Sequence, residues 1–141
     1  MSNIQPPTSQ ELEQILRETA FAKIYDFQLI SHGDGQCVLK VPFSKETERP
    51  GGIVAGPVYI ACVDVAMWLA IMSKLGSQVH TVTTELNTTF LSAAKEEAII
   101  GSATVIKFGR TQIFGVAECR SIDGKLLTHH TISYARVTER K

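Results

Sequence analysis

The chain has little of what marks secreted, metal-binding or nucleic-acid-binding proteins. Its three cysteines, Cys37, Cys62 and Cys119, are odd in number and widely spaced. Neither a disulfide framework nor a zinc site has that pattern, and reduced thiols fit an expected cytoplasmic location. Charge of one sign is also lacking, since fourteen basic residues balance fourteen acidic ones. No basic stripe is present for nucleic acid and no basic cluster for an anionic membrane, so neither partner is expected. The first seven residues lack a basic segment followed by an apolar one, and no secretory signal is expected. His32, His80, His129 and His130 have no metal-ligand spacing. His129 and His130 are strand neighbours and point to opposite faces. The glycine motifs are incomplete. Gly51-Gly52-Ile53-Val54-Ala55-Gly56 has the glycine spacing of a P-loop, but Pro57-Val58 follows where lysine and a hydroxyl are needed. There is no Gly-x-Ser-x-Gly elbow.

What remains is the composition of a globular protein, 44% hydrophobic and 20% charged over 141 residues. That length predicts a single domain, 1–141, with a core that needs no staples. Residues 1–7 read as a flexible lead. Thr8 and Glu11 have capping-box spacing, and Leu12, Ile15 and Leu16 follow at helical intervals, which predicts a short helix from Ser9 to Ala20. Two strands, Tyr25–Ser31 and Gln36–Pro42, flank the turn Gly33-Asp34-Gly35. Residues 44–52 read as a loop.

A long apolar run comes next. Pro57 suits a first helical turn, with Gly56 as N-cap and Gly76 as the stop. Between Val58 and Met72, Asp64 is the only charged residue. A helix apolar on all sides is buried in protein or in lipid. The central Asp64 and the lack of a basic flank favour protein. Four strands finish the chain: Val79–Leu91, Ala98–Phe108, Gln112–Ile122 and Lys125–Val137. Short turns make the last three antiparallel. Each offers a face of small residues: Gly101 and Ala103; Gly115, Ala117, Cys119 and Ser121; Thr131, Ser133 and Ala135. Such faces complement the bulk of Met67, Trp68, Leu69 and Met72. The expected fold class is therefore α+β, a long central helix wrapped by an antiparallel β-sheet.

Asp64 has no charged neighbour three or four residues away. Burying a carboxylate is expensive unless it is hydrogen-bonded or faces a cavity, so Asp64 is either a catalytic acid or base, or a structural hydrogen-bonding group. Gly56 and Val58 supply amide donors at the helix N-terminus, where an oxyanion is stabilised. Eight residues of helix separate Gly56 from Asp64, about 12 Å at 1.5 Å per residue. One chain cannot bring both to one carbonyl. A site built from them needs two copies of the chain.

The stretch Gly52-Ile-Val-Ala-Gly-Pro-Val-Tyr-Ile-Ala-Cys-Val-Asp64-Val-Ala-Met resembles the central-helix motif of the PaaI-like hot-dog thioesterases. That motif is Gly-x-x-His-Gly-Gly, followed by a helix that carries the catalytic Asp. Val82–Ala94, Phe108-Gly109-Arg110 and Asp123–Thr131 fall where the family has its strands and turns. The resemblance spans roughly residues 26–137. It implies a hot-dog fold and hydrolysis of acyl-CoA without a metal or separate cofactor, coenzyme A being part of the substrate. It implies Asp64 as nucleophile or base, and the Gly56 N–H, from the opposite subunit of a homodimer or dimer of dimers, as oxyanion donor. Gly109 and Arg110 match the turn that contacts coenzyme A. Thr83 and Thr84 fall on the strand that lines the pantetheine and acyl channel, and Arg49, Tyr59 and Trp68 are further substrate-binding candidates. Ala55 stands at the motif histidine, Pro57 at its second glycine, and Arg49 where asparagine is common. The rival reading is a non-catalytic hot-dog protein that binds acyl-CoA or another apolar ligand at the same interface.

Overall fold

The computed structural model describes residues 5–137. The chain begins with helix α1, Ser9–Glu18. Its capping box is formed as the spacing predicts. The Thr8 side chain accepts from the Glu11 N–H, and the Glu11 carboxylate accepts from the Thr8 N–H, each at 3.1 Å. A second short helix, α2, Ala20–Lys23, follows. Strands β1, Gln28–Gly33, and β2, Gln36–Val41, form the expected hairpin. β1 starts three residues later than predicted. Asp26 adopts a left-handed backbone, φ 53°, and Tyr25 stacks against Phe21 and Phe27 instead of joining a ladder.

The segment read as a loop has structure of its own. A 3-10 turn, Lys45–Thr47, leads into a small hairpin of β3, Glu48–Arg49, and β4, Ile53–Val54. Helix α3, Gly56–Leu75, comes next. Its N-cap is Ala55, not Gly56, because Ala55 is extended (φ −68°, ψ 145°) and its carbonyl accepts from the Val58 N–H at 3.0 Å. α3 has the length and hydropathy of a membrane span, but 72% of that window is buried inside the protein. It is the core helix. Strands β5, Thr81–Phe90, β6, Ile99–Phe108, β7, Gln112–Ser121, and β8, Leu126–Arg136, complete the chain.

Six strands form one antiparallel sheet in the order β1-β2-β6-β7-β8-β5. Their ladders curve around α3, the hot-dog arrangement. The volume argument holds at β6 and β7, where Gly101, Ala103, Gly115, Ala117, Cys119 and Ser121 face inward and are buried. A Cβ on Gly101 would collide with the Cys62 Sγ, and one on Gly115 with the Met67 Cε. Glycine at these two points lets the helix lie close to the sheet. β8 corrects the prediction. Its inward face is Thr128, His130, Ile132 and Tyr134, while Thr131, Ser133 and Ala135 face outward. α3 rides over β2 and β6. It meets β7 and β8 less closely, and β8 turns larger side chains toward it.

One stripe of α3 escapes the sheet. Pro57 and Ile60 are exposed, and Asp64 and Trp68 are half-buried. These residues share one helix face. The helix read from the sequence as buried on all sides is therefore open along this stripe, and Asp64 is only half-buried.

Candidate functional site

Asp64 projects from the uncovered stripe into a cleft of about 310 Å³, lined by Thr19, Phe21, Trp68, Thr83 and Tyr134 among others. Two hydroxyls hold its carboxylate. Thr83 Oγ1 donates to Oδ1 at 2.8 Å and the Tyr134 hydroxyl lies 2.7 Å from the same oxygen. Thr83 and Tyr134 are ladder partners on β5 and β8, so their side chains emerge side by side on the inner face. Burial pushes the Tyr134 phenol well above the ordinary tyrosine range, and the charge of Asp64 beside it pushes in the same direction. Tyr134 therefore stays protonated and serves as a donor. With Oδ1 occupied, Oδ2 is the carboxylate oxygen without a partner among the described residues.

Gly56 lies in a different cleft, of about 430 Å³, with Arg49, Ile53, Tyr59, Phe90 and Leu91. The hairpin β3–β4 places Arg49 there. The Val58 N–H, expected as a second donor, is taken by the Ala55 carbonyl, and Pro57 has no N–H. Gly56 is thus the remaining amide at the helix tip. Tyr59 is 2% exposed, its hydroxyl accepts from the Ala94 N–H at 3.1 Å, and its ring meets Phe90 edge-on at 6.1 Å. It walls the cleft from the core side.

Within one chain the fold brings Asp64, Trp68 and Thr83 together, and separately Gly56, Arg49 and Tyr59. It does not join the two sets. Thr84 joins neither: it sits at the β5 irregularity between Thr83 and Glu85, and its hydroxyl donates to the Ser133 carbonyl at 3.2 Å. Gly109 closes the β6–β7 turn. Its N–H donates to the Gln112 carbonyl at 2.8 Å, and a side chain there would collide with that oxygen. Arg110 opens onto a third cleft, of about 370 Å³, beside His80 and Arg136.

Sequence reasoning missed Tyr134, Phe21 and Arg136. Tyr134 carried half a signal: alternation puts it on the face of β8 opposite Thr131, Ser133 and Ala135, and only the structure shows which face turns inward. Phe21 and Arg136 carried none. The buried cysteines stay outside both clefts. Burial pushes the Cys37 thiol up to about 12.

Residues 51–128 match the family model described as the thioesterase superfamily. The chain belongs to the thioesterase superfamily. A Saccharolobus solfataricus protein provisionally named an esterase is 27% identical over 116 residues, 82% of each chain. The zebrafish protein Thioesterase Superfamily Member 2 superposes with a TM-score of 0.84 at 25% identity, over 93% of this chain and 99% of its own. A Streptococcus pneumoniae protein described as a hypothetical thioesterase and solved with coenzyme A gives a TM-score of 0.78 at 15% identity, over 91% of this chain and 98% of its own. The span shared with the superfamily holds Gly56, Asp64 and Thr83. Phe21, Arg49 and Tyr134 lie outside it.

Proposed function

We propose that this protein hydrolyses acyl-CoA thioesters at a site shared by two copies of the chain. The observation that carries the reading is the Asp64 carboxylate, which lines a cleft and is fixed by Thr83 and Tyr134 through one of its oxygens. A carboxylate held this way is oriented for attack or for proton abstraction. The Gly56 N–H, at a helix N-terminus, supplies the positive end of a dipole for the developing oxyanion. The two lie on one helix about 12 Å apart, so a single carbonyl meets both when a second chain brings its Gly56 to this chain's Asp64. The uncovered stripe Pro57, Ile60, Asp64 and Trp68 and the exposed sheet edge β5 support that pairing.

In this reading Asp64 takes a proton from water as the oxygen attacks the thioester carbonyl carbon. The electron pair of the C=O bond moves to oxygen and rests on the Gly56 N–H. Collapse breaks the C–S bond, coenzyme A leaves as a thiolate, and the proton held by Asp64 is passed on to it. Attack by Asp64 itself, through an anhydride, is the covalent variant. No histidine stands at position 55. Arg49, in the Gly56 cleft, is the cation on the carbonyl side. The cleft of Arg110, Arg136 and His80 suits the phosphates of the coenzyme, and the pneumococcal thioesterase with coenzyme A supports that ligand.

The test is turnover of a panel of acyl-CoA thioesters by the wild type and Asp64→Asn. Loss of about 10²-fold or more in kcat is expected. Hydrolysis that survives the substitution within about threefold would overturn the assignment of Asp64 as base. Thermal stabilisation by acyl-CoA without any turnover would instead support the non-catalytic reading that Ala55 favours.

A further inference from the structure

Phe21 stands at the cleft of Asp64 on a segment that the chemistry above does not use. Thr19 breaks the first helix. It takes an extended backbone (φ −83°, ψ 110°), and its hydroxyl donates to the Ile15 carbonyl at 2.7 Å. The chain restarts as α2, and the break places Thr19 and Phe21 in the lining of the cleft that holds Asp64, Val65 and Trp68. The Phe21 ring is not loose. It meets Tyr25 edge-on, centroids 5.5 Å apart at 60°, and Tyr25 leans on Phe27 at 5.5 Å. Phe27 is buried, so the row of rings is rooted in the core. Yet Phe21 itself is 48% exposed. A large ring held in place and left open beside a hydrogen-bonded carboxylate has its ordering cost already met, which favours binding an apolar group. Apolar walls around a few placed polar groups (here Asp64, Thr83 and Tyr134) are the composition of a small-molecule site. Residues 19–21 also precede the span shared with the superfamily, which begins at residue 51.

We infer that Phe21 determines acyl-group specificity: with Trp68 its ring walls the space taken by the acyl portion of the thioester, and it favours an aromatic acyl group over acetyl. The inference rests on the thioesterase reading of Asp64 and deepens it.

The test compares kcat/KM for benzoyl-CoA and acetyl-CoA in the wild type, Phe21→Ala and Phe21→Leu, with Asp64→Asn run in parallel. Phe21→Ala is expected to lower kcat/KM for benzoyl-CoA about tenfold, mainly through KM, and to leave acetyl-CoA within about twofold. Phe21→Leu, which keeps apolar bulk without a ring, falls between. An equal loss on both substrates, or no loss on either, overturns the inference. If the wild type hydrolyses no thioester of the panel, the thioesterase reading fails by itself. The pocket is then decided by binding of a non-hydrolysable thioether that carries a phenyl group on coenzyme A. That compound must raise Tm more than coenzyme A does, and Phe21→Ala must abolish the excess. Equal shifts with and without the phenyl group overturn the pocket too.

Discussion

The Tyr134 hydroxyl lies 2.8 Å from the main-chain oxygen of Asp64 and 2.7 Å from its carboxylate. One phenol on β8 thus clamps both the backbone and the side chain of a residue in the middle of α3. The phenol has one proton, which the two oxygens share. The contact ties the helix to β8.

That relationship predicts a positioning role for Tyr134. Tyr134→Phe keeps the ring and removes the clamp. We expect kcat to fall about tenfold with KM within about twofold, because the carboxylate loses one of its two orienting donors. Stability should fall by about 1–3 kcal/mol, the cost of a lost hydrogen bond to a charged, partly buried group. Steady-state kinetics and urea unfolding check both. Unchanged kcat would remove Tyr134 from the site.

The same residue has a signature in alkali. Its phenol is raised in the folded protein by burial and by Asp64. In the unfolded chain it ionises near pH 10. Its contribution is therefore complete below about pH 10 and is lost as pH rises beyond that, because only the unfolded state then gives up the proton. Tyr134→Phe lacks this contribution. The stability gap between the wild type and the variant should narrow as pH rises from about 9 to about 11. Unfolding curves across that range check it, and a constant gap would contradict the assignment.

A shared site predicts complementation. Gly56→Pro removes the N–H proposed as oxyanion donor while leaving a residue that suits a first helical turn. Alone it should lose about 10²-fold or more in activity, as for a missing oxyanion donor. Mixed with Asp64→Asn and reassembled, the two inactive chains should recover about a quarter of wild-type activity, since half the dimers are mixed and each has one intact site. No recovery after refolding together would overturn the shared site.

Close approach of helix and sheet is testable at Gly101. Gly101→Ala puts a methyl group against the Cys62 Sγ and should cost about 1–3 kcal/mol through overpacking. Combining it with Cys62→Ala opens the space again. The double variant should be more stable than Gly101→Ala alone, a coupling that calorimetry reads directly.

Much of this architecture is legible without coordinates. The apolar run from Val58 to Met72 has one place to go in a soluble chain, the middle of a sheet. The small residues of β6 and β7 show which strand faces admit it. Thr8 and Glu11 predict their capping box because a cap is local. The hairpin β3–β4 was not legible, since two-residue strands carry no periodicity. Nor was the outward turn of Thr131, Ser133 and Ala135 on β8, which depends on how far that strand lies from the helix.

The amino-acid sequence by itself determined that a long apolar helix would carry one acid, Asp64, eight residues beyond its glycine start. Helix geometry follows from local hydrogen bonds, so the spacing, and with it the proposal of a site shared by two chains, can be read from residue numbers. Only the tertiary structure decided what surrounds that acid. Thr83, Tyr134 and Phe21 come from segments 19 to 70 residues away, and they meet at the cleft of Asp64 because ladder register and helix packing, which no short stretch of chain encodes, bring them there.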